Sequence, residues 1–224
     1  MTFKSQRATG VLRRHIRSAG VLRAVQPRAE ATRDALLGAG RRLLNERDFE
    51  AMSIADLAAA NGLSVGSFYG RFRDKEAYFS LLQEMVTTEW TETTQREFDA
   101  QRLAGWSAGR IVALVAARVV TVYRSDRGFI RAALRHASTH PSAWTPLKRV
   151  GARIANEVTL LLAPRLAHLP RMARAARVRF AMQLLYGMLV NAVLNDPGPL
   201  SLDDPRLEKE LARALSAYLG LRQR

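Results

Sequence analysis

The chain has 224 residues and a formal net charge of +15, with 35 Lys/Arg against 20 Asp/Glu, length enough for one large domain or two small ones with an ample core. Cysteine is absent, which excludes disulfides, thiolate metal sites and cysteine nucleophiles together and fits a reducing cytosol. Arg and Lys interrupt every apolar run, so no stretch reaches the ~18 apolar residues that would suggest a membrane span.

The charge is unevenly distributed. Residues 1–28 carry seven basic residues and no acid, residues 29–85 carry seven basic and nine acidic, and residues 86–224 carry 21 basic and 11 acidic. A polyanionic partner fits the total, yet the middle segment is not basic. Residues 1–28 read as a basic flexible arm, with Gly10, Gly20 and Pro27 as breakers and a nascent helix at Val11–Ser18. No apolar core of a signal peptide is present there. The arm reads either as a solvated tail or as a DNA-grasping extension.

A first helix is predicted from about Ala29 to Arg47, with Leu36, Gly40, Leu43 and Leu44 on one face and Phe49 in the following loop. Ser53 is a good N-cap, and Asp56 three residues later completes a capping-box pattern. The helix they open spans about 54–60. Asn61-Gly62 stops it, because glycine supplies the left-handed conformation a sharp stop needs. Ser64 caps a third helix over about 65–71, and Asp74 caps a fourth starting near Lys75. A helix, a glycine turn and a short second helix make a helix-turn-helix, whose second helix enters the DNA major groove.

The run Gly62-Leu-Ser-Val-Gly-Ser-Phe-Tyr-Gly-Arg-Phe-Arg-Asp-Lys-Glu-Ala77 resembles the signature of the tetracycline-repressor (TetR) family of bacterial transcription regulators. Residues 30 to 85 carry the resemblance, and the rest matches in helical character and length. It implies a cytoplasmic homodimer, nucleoid-associated when bound, that reads a pseudo-palindromic double-stranded DNA operator and is a repressor released by a small-molecule ligand. The expected architecture is all-α with nine helices. The arm is followed by a helix-turn-helix domain over 29–76 and a helical ligand-binding and dimerisation domain over 77–224.

Seven residues form the candidate DNA-contacting set. Ser64 and Ser67 can bond phosphates or base edges, and Val65 offers a thymine methyl its best contact. Tyr69 and Lys75 stand where the family contacts phosphates. Lys75 lies in a first helical turn, where the dipole disfavours a cation, whereas a phosphate there is favoured. Arg71 can fork to guanine or hold phosphate. The family often carries a large side chain where this chain has Gly70, which shifts base reading towards Arg71. Ser53 can cap its helix and touch phosphate. Gly66 costs up to ~1 kcal/mol in a helix relative to Ala. Close approach to DNA and tight packing on the second helix both explain it.

Five further helices are predicted near 107–124, 127–139, 143–163, 171–195 and 204–220. The family's last two long helices pair with their copies in a second subunit. Phe180, Leu184, Gly187 and Asn191, then Leu211 and Leu215, are the candidate interface; an ordinary core face is the other reading. Trp106, Tyr123, Phe129, Leu134, Trp144 and Tyr186 are candidates to line a pocket for a small apolar or amphipathic effector, or else plain core. Arg171, Arg174 and Arg177 oppose a helix dipole. They read as solvated or as favouring an anionic ligand, such as an acyl thioester or a carboxylate. His136 and His140 are four apart with no third ligand, and read as surface histidines rather than a metal site. No nucleophile elbow, phosphate-binding glycine loop or paired acid motif appears. An enzyme is not expected, nor is a resident cofactor or a membrane partner. The rival reading is a sequence-non-specific basic nucleic-acid-binding protein, against which the acidic balance of residues 29–85 argues.

Overall fold

The structure is a computed structural model that describes residues 27–221. Residues 1–26 of the arm, with the nascent helix at 11–18, fall outside the described residues, and its last two, Pro27 and Arg28, lie in a helix. Nine α-helices make up the described chain: α1 Pro27–Leu43, α2 Ile54–Ala59, α3 Val65–Tyr69, α4 Lys75–Glu97, α5 Ala108–Ser125, α6 Arg127–Thr139, α7 Thr145–Leu162, α8 Arg171–Asn195 and α9 Leu207–Tyr218. The all-α expectation holds. Single 3-10 turns at Pro141–Trp144 and Ala163–Arg165 flank α7.

α1, α7 and α9 depart most from the predicted bounds, and α2, α3 and α5 differ by one or two residues. α1 is already helical at Pro27, the first described residue. It ends at Leu43, after which Asn45 N–H bonds the carbonyl of Arg42 in a tighter turn. α7 is shortened by its 3-10 flanks. α9 starts late because Asp204 holds the backbone N–H and the guanidinium of Arg206 in a turn, and Gly220 at φ 68° closes its far end.

The chain divides into two compact units, the first ending at Val86 and the second starting at Thr87; the division falls inside α4. In the first unit, α2 and α3 have six and five residues, too few to be stable alone. Packing holds them. Phe68, Phe72 and Tyr78 are fully buried. The Phe68 ring lies 5.0 Å from Phe72 and 5.5 Å from Tyr78, and Phe72 meets Tyr78 edge-on at 5.1 Å. Tyr78 hydroxyl donates to the carbonyl of Leu36 at 3.0 Å, tying α4 to α1. Gly40 is what admits this ring: a Cβ there would sit 1.6 Å from the Tyr78 hydroxyl.

The second unit has an aliphatic core from α5, α7, α8 and α9, including Ile111, Val115, Leu161, Met182, Leu185 and Leu215. Arginines staple its turns. Arg165 donates to the carbonyls of Trp106, Leu103 and Ala104. Arg124 on α5 binds the carbonyls of Leu202 and Asp204 and the carboxylate of Glu208, and Arg127 pairs with Asp203. Trp90 near the end of α4 donates its indole N–H to buried Asp126, between α5 and α6, at 2.8 Å.

Candidate nucleic-acid interface

The turn between α2 and α3 follows from its residues. Ser53 N–H and hydroxyl both donate to the Asp56 carboxylate, at 2.9 and 2.7 Å, and Asp56 N–H donates back to Ser53 Oγ at 3.0 Å. The Ser53 hydroxyl, first, and its N–H hold the Asp56 carboxyl below its ordinary value. Gly62 stands at φ 63°, and Leu63 N–H reaches the carbonyl of Ala58 at 2.9 Å. This pattern closes α2 at a left-handed residue. Ser64 then caps α3 by accepting from Ser67 N–H at 3.2 Å, and its hydroxyl lies 3.1 Å from that of Ser67. At α4, Ala77 N–H donates to Asp74 at 2.7 Å; that bond, first, and Arg73 hold the Asp74 carboxyl low.

α3 is therefore fixed with one face inward and the other in solvent. Phe68 is fully buried, whereas Val65 is 43% and Tyr69 51% exposed. Tyr69 is thus no core residue. Ser53, Ser64, Gly66 and Gly70 are exposed and Ser67 is half-buried. A Cβ on Gly66 would meet only Ser64 Oγ, at 3.7 Å. Packing on α2 does not require this glycine.

Several of the predicted contacts are engaged within the subunit. Arg71 folds back so that its Nη1 donates to the carbonyl of Ser67 at 2.6 Å, with its Nε buried and unpartnered. To reach a base it must unfold from the end of α3. Lys75 Nζ donates to the carbonyl of Glu50 at 3.2 Å and lies 4.4 Å from the Phe49 ring centroid. Those contacts, made across 25 residues of sequence, give Lys75 a local reason to exist that helix-dipole reasoning does not see. The Ser53 hydroxyl proton is likewise committed to Asp56. Arg71 to Ser67 is an i to i−4 contact that helical spacing could have flagged; Lys75 to Glu50 has no such signal.

The residues predicted in the larger unit separate into groups. Phe180 and Leu184, each 45% exposed, share one face of α8 with exposed Gly187 and Asn191. A Cβ on Gly187 would meet nothing within 4 Å. Asn191 accepts from Asn195 at 2.7 Å. On α9, Leu215 is buried in the core and Leu211 packs half-buried against it, because that stripe faces α5. Of the pocket candidates, Trp106, Tyr123 and Tyr186 pack on the core of this unit. Phe129 is fully buried with Trp90 edge-on to it at 5.7 Å, and Leu134 and Trp144 are half-buried; these three are not part of that core cluster. Arg174 donates to the carbonyls of Leu169 and Ala167, and Arg177 to that of Tyr218. His136 is buried, not a surface residue, because it lies on the inward stripe of α6 with Phe129, Ile130 and Ala133; its ring stacks on His140 at 4.6 Å. Among the described residues no three His, Cys, Asp or Glu cluster as metal ligands, and no helix is long and apolar enough to cross a membrane.

Residues 36–82 match the family of bacterial regulatory proteins of the tetR type, and residues 110–219 match the tetracyclin repressor-like C-terminal domain. No protein of curated function matches the chain in sequence. Among solved structures, it is similar to a putative TetR-family transcriptional regulator from Mesorhizobium loti MAFF303099, at 15% identity and a TM-score of 0.70, covering 87% of this chain and 98% of that one. A TetR-family regulator from Streptomyces coelicolor gives 18% and 0.64, over 84% and 80%. The TetR-family regulator PfmR from Thermus thermophilus gives 16% and 0.58, over 84% and 99%. At such identities the likeness shows the fold, while the two sequence matches carry the family. A helix-turn-helix unit with a solvent-facing α3, followed by a matching helical C-terminal domain, places the chain in the tetracycline-repressor family of bacterial DNA-binding transcription regulators.

Proposed function

We propose that the protein is a homodimeric repressor that reads a pseudo-palindromic operator through Ser53, Ser64, Val65, Ser67, Tyr69, Arg71 and Lys75, and is released by a small apolar or amphipathic ligand. The observation that carries the reading is α3 itself. Its Val65, Gly66, Tyr69 and Gly70 stand exposed on one side, and among the described residues a Cβ on Gly66 would meet only Ser64 Oγ, at 3.7 Å. The open α8 face of Phe180, Leu184, Gly187 and Asn191 supports a dimer, since a glycine amid an apolar face lets a second helix approach. Two heads on one dimer call for half-sites about one helical turn apart or a little more.

Release is a population shift between two dimer shapes, and requires a ligand with different affinity for each. The continuity of α4 across the two units, and its tie through Trp90 to Asp126, support α4 as the element that carries the shift. Mapping bound DNA genome-wide, then measuring affinity for the recovered site and for unrelated DNA, tests the proposal. A palindromic consensus whose bases change with Val65→Gln is expected, by ~1–3 kcal/mol per affected base pair. Equal affinity for all DNA sinks the reading in favour of a non-specific binder.

A further inference from the structure

Bases are told apart in the major groove chiefly by side chains that bond two base atoms at once, Arg or Lys on guanine and Asn or Gln on adenine. Residues 53–73 contain three side chains of this kind, Asn61, Arg71 and Arg73. Each is already engaged. Asn61 Nδ2 donates to the carbonyl of Leu57 at 3.0 Å, back along α2. Arg71 Nη1 donates to the carbonyl of Ser67 at 2.6 Å, and its Nε is buried. Arg73 Nε pairs with Asp74 at 2.7 Å, beyond the end of α3.

The residues of α3 and its caps are of another kind. Ser64 Oγ accepts from Ser67 N–H, and the two hydroxyls lie 3.1 Å apart, so one of their protons is spent between them. A hydroxyl both donates and accepts, and so serves any base. Gly66 and Gly70 are exposed and bring no side chain. Val65 and Tyr69 are exposed at the two ends of α3, a spacing that sets them on the same side of a helix. The Tyr69 ring stands edge-on to buried Phe68 at 5.7 Å. What α3 offers a groove without first breaking a bond of its own is therefore a small apolar strip. The apolar group that the major groove presents in return is the thymine 5-methyl.

We infer that α3 selects its operator by thymine methyl groups, met by Val65 with the Tyr69 ring beside it, and that no guanine is read by a forked arginine. This rests on the proposed reading of an operator by α3 and names the base chemistry of that site. Arg71 is left to hold the end of α3 and to meet phosphate.

The test uses the full chain to select duplexes from a random-sequence pool. The recovered site is then remade with changes confined to one group. Deoxyuridine in place of thymidine removes only the methyl, and 7-deazaguanine in place of guanine removes only the N7 acceptor. Each change is made at the matching position of both half-sites, and affinity is measured by titration. At a thymine in each half-site, uracil should weaken binding about fourfold per half-site, the worth of one buried methyl. Val65→Ala should erase most of that difference. 7-Deazaguanine should leave affinity unchanged at every guanine. A loss of about tenfold or more at any guanine, the size of a broken fork, overturns the inference and leaves sequence-specific reading standing. Uracil without effect at every thymine, or an effect that survives in full in Val65→Ala, overturns it too. A pool that yields no consensus, with all duplexes bound alike, sinks operator reading itself and the inference with it.

Discussion

The two units differ in what recurs at their helix ends, although Ser107 also caps α5 in the second and Arg71 and Lys75 also serve carbonyls in the first. In the first, side chains cap helix N-termini: Ser53, Ser64 and Asp74 accept from backbone N–H groups of α2, α3 and α4. In the second, arginines serve backbone carbonyls: Arg124, Arg165, Arg174 and Arg177 bind the turns around α5, α7, α8 and α9. The first unit has short helices held by an aromatic core, the second long helices on an aliphatic one. The lesson concerns charge. Part of the surplus of +15 comes from residues such as Arg165, Arg174 and Arg177 that close the fold of the second unit, so net charge is a poor guide to where nucleic acid binds. The segment with the acidic balance, residues 29–85, is the one that holds the helix-turn-helix with its exposed α3.

The strongest way to break this comparison is to truncate the second unit's core and, separately, to charge its surface. Leu215 is buried and Leu184 is 45% exposed. Leu215→Ala should cost ~2–4 kcal/mol of stability in the second unit, visible as an earlier thermal transition. Leu184→Glu should leave the melting of the isolated subunit almost unchanged and shift sedimentation from dimer to monomer at micromolar concentration, with tight operator binding lost. If Leu184→Glu unfolds the unit instead, the α8 face is core and not interface.

Two mid-helix glycines sharpen the contrast. A Cβ at Gly40 collides with a Tyr78 hydroxyl that is buried and hydrogen-bonded to Leu36, whereas a Cβ at Gly187 meets open space. Gly40→Ala should destabilise the first unit by ~2–3 kcal/mol and abolish DNA binding through unfolding. Gly187→Ala should gain up to ~1 kcal/mol of helix stability in the monomer while weakening dimerisation. Denaturant melts at several protein concentrations separate the two effects. A Gly187→Ala protein that dimerises as the wild type does removes close helix approach as the reason for the glycine.

Legibility in the sequence followed the range of each interaction. α6 and α8 run as the periodicity and breakers predict, and the Ser53–Asp56 box is present atom by atom. These are contacts within a few residues. The stripe on α9 was ambiguous because an amphipathic helix shows one apolar face whether it meets α5 or a second subunit; only tertiary packing assigned Leu215 to the core. His136 went inward for the same reason. The contacts of Lys75 with Glu50, of Trp90 with Asp126 and of Arg124 with Glu208 join residues 25, 36 and 84 positions apart, and no local pattern announces them. The role of Gly40 depends on where Tyr78 lands, which one-dimensional spacing does not give.

Lys75 tests whether a residue can serve both fold and partner. Loss of its bond to Glu50 and its position over Phe49 should cost the first unit about 1 kcal/mol in Lys75→Ala. If it also meets phosphate, affinity for specific and unrelated DNA should fall alike, and the log–log salt slope should drop by about one. Lys75→Met keeps most of the apolar stem over Phe49 and removes the charge, so it separates the two. A salt slope unchanged in both variants would leave only the structural role.

The smallest effect should appear in acid. Hydrogen bonds to Ala77 N–H, first, and Arg73 depress the carboxyl of Asp74 in the first unit. In the second unit, the Arg206 side chain, first, and its backbone N–H depress that of Asp204 to about 2, from an unfolded value of 3.8. A carboxyl whose folded pKa is lowered stabilises the fold above its unfolded value, and that stabilisation is lost as pH falls through the folded one, because the unfolded chain binds the proton first. Both units should therefore lose stability from about pH 4 downward. Salt distinguishes them. The partner of Asp204 is foremost an exposed cation and is screened, whereas that of Asp74 is foremost a backbone N–H and is not. Melting temperatures across this range, at low and high salt, should show the acid slope of the second unit flattening with salt and that of the first persisting. Asp204→Asn should flatten only the second slope and Asp74→Asn only the first. If both slopes respond equally to salt, the acid sensitivity of the first unit comes from ion pairing, and N-terminal capping is not what distinguishes it.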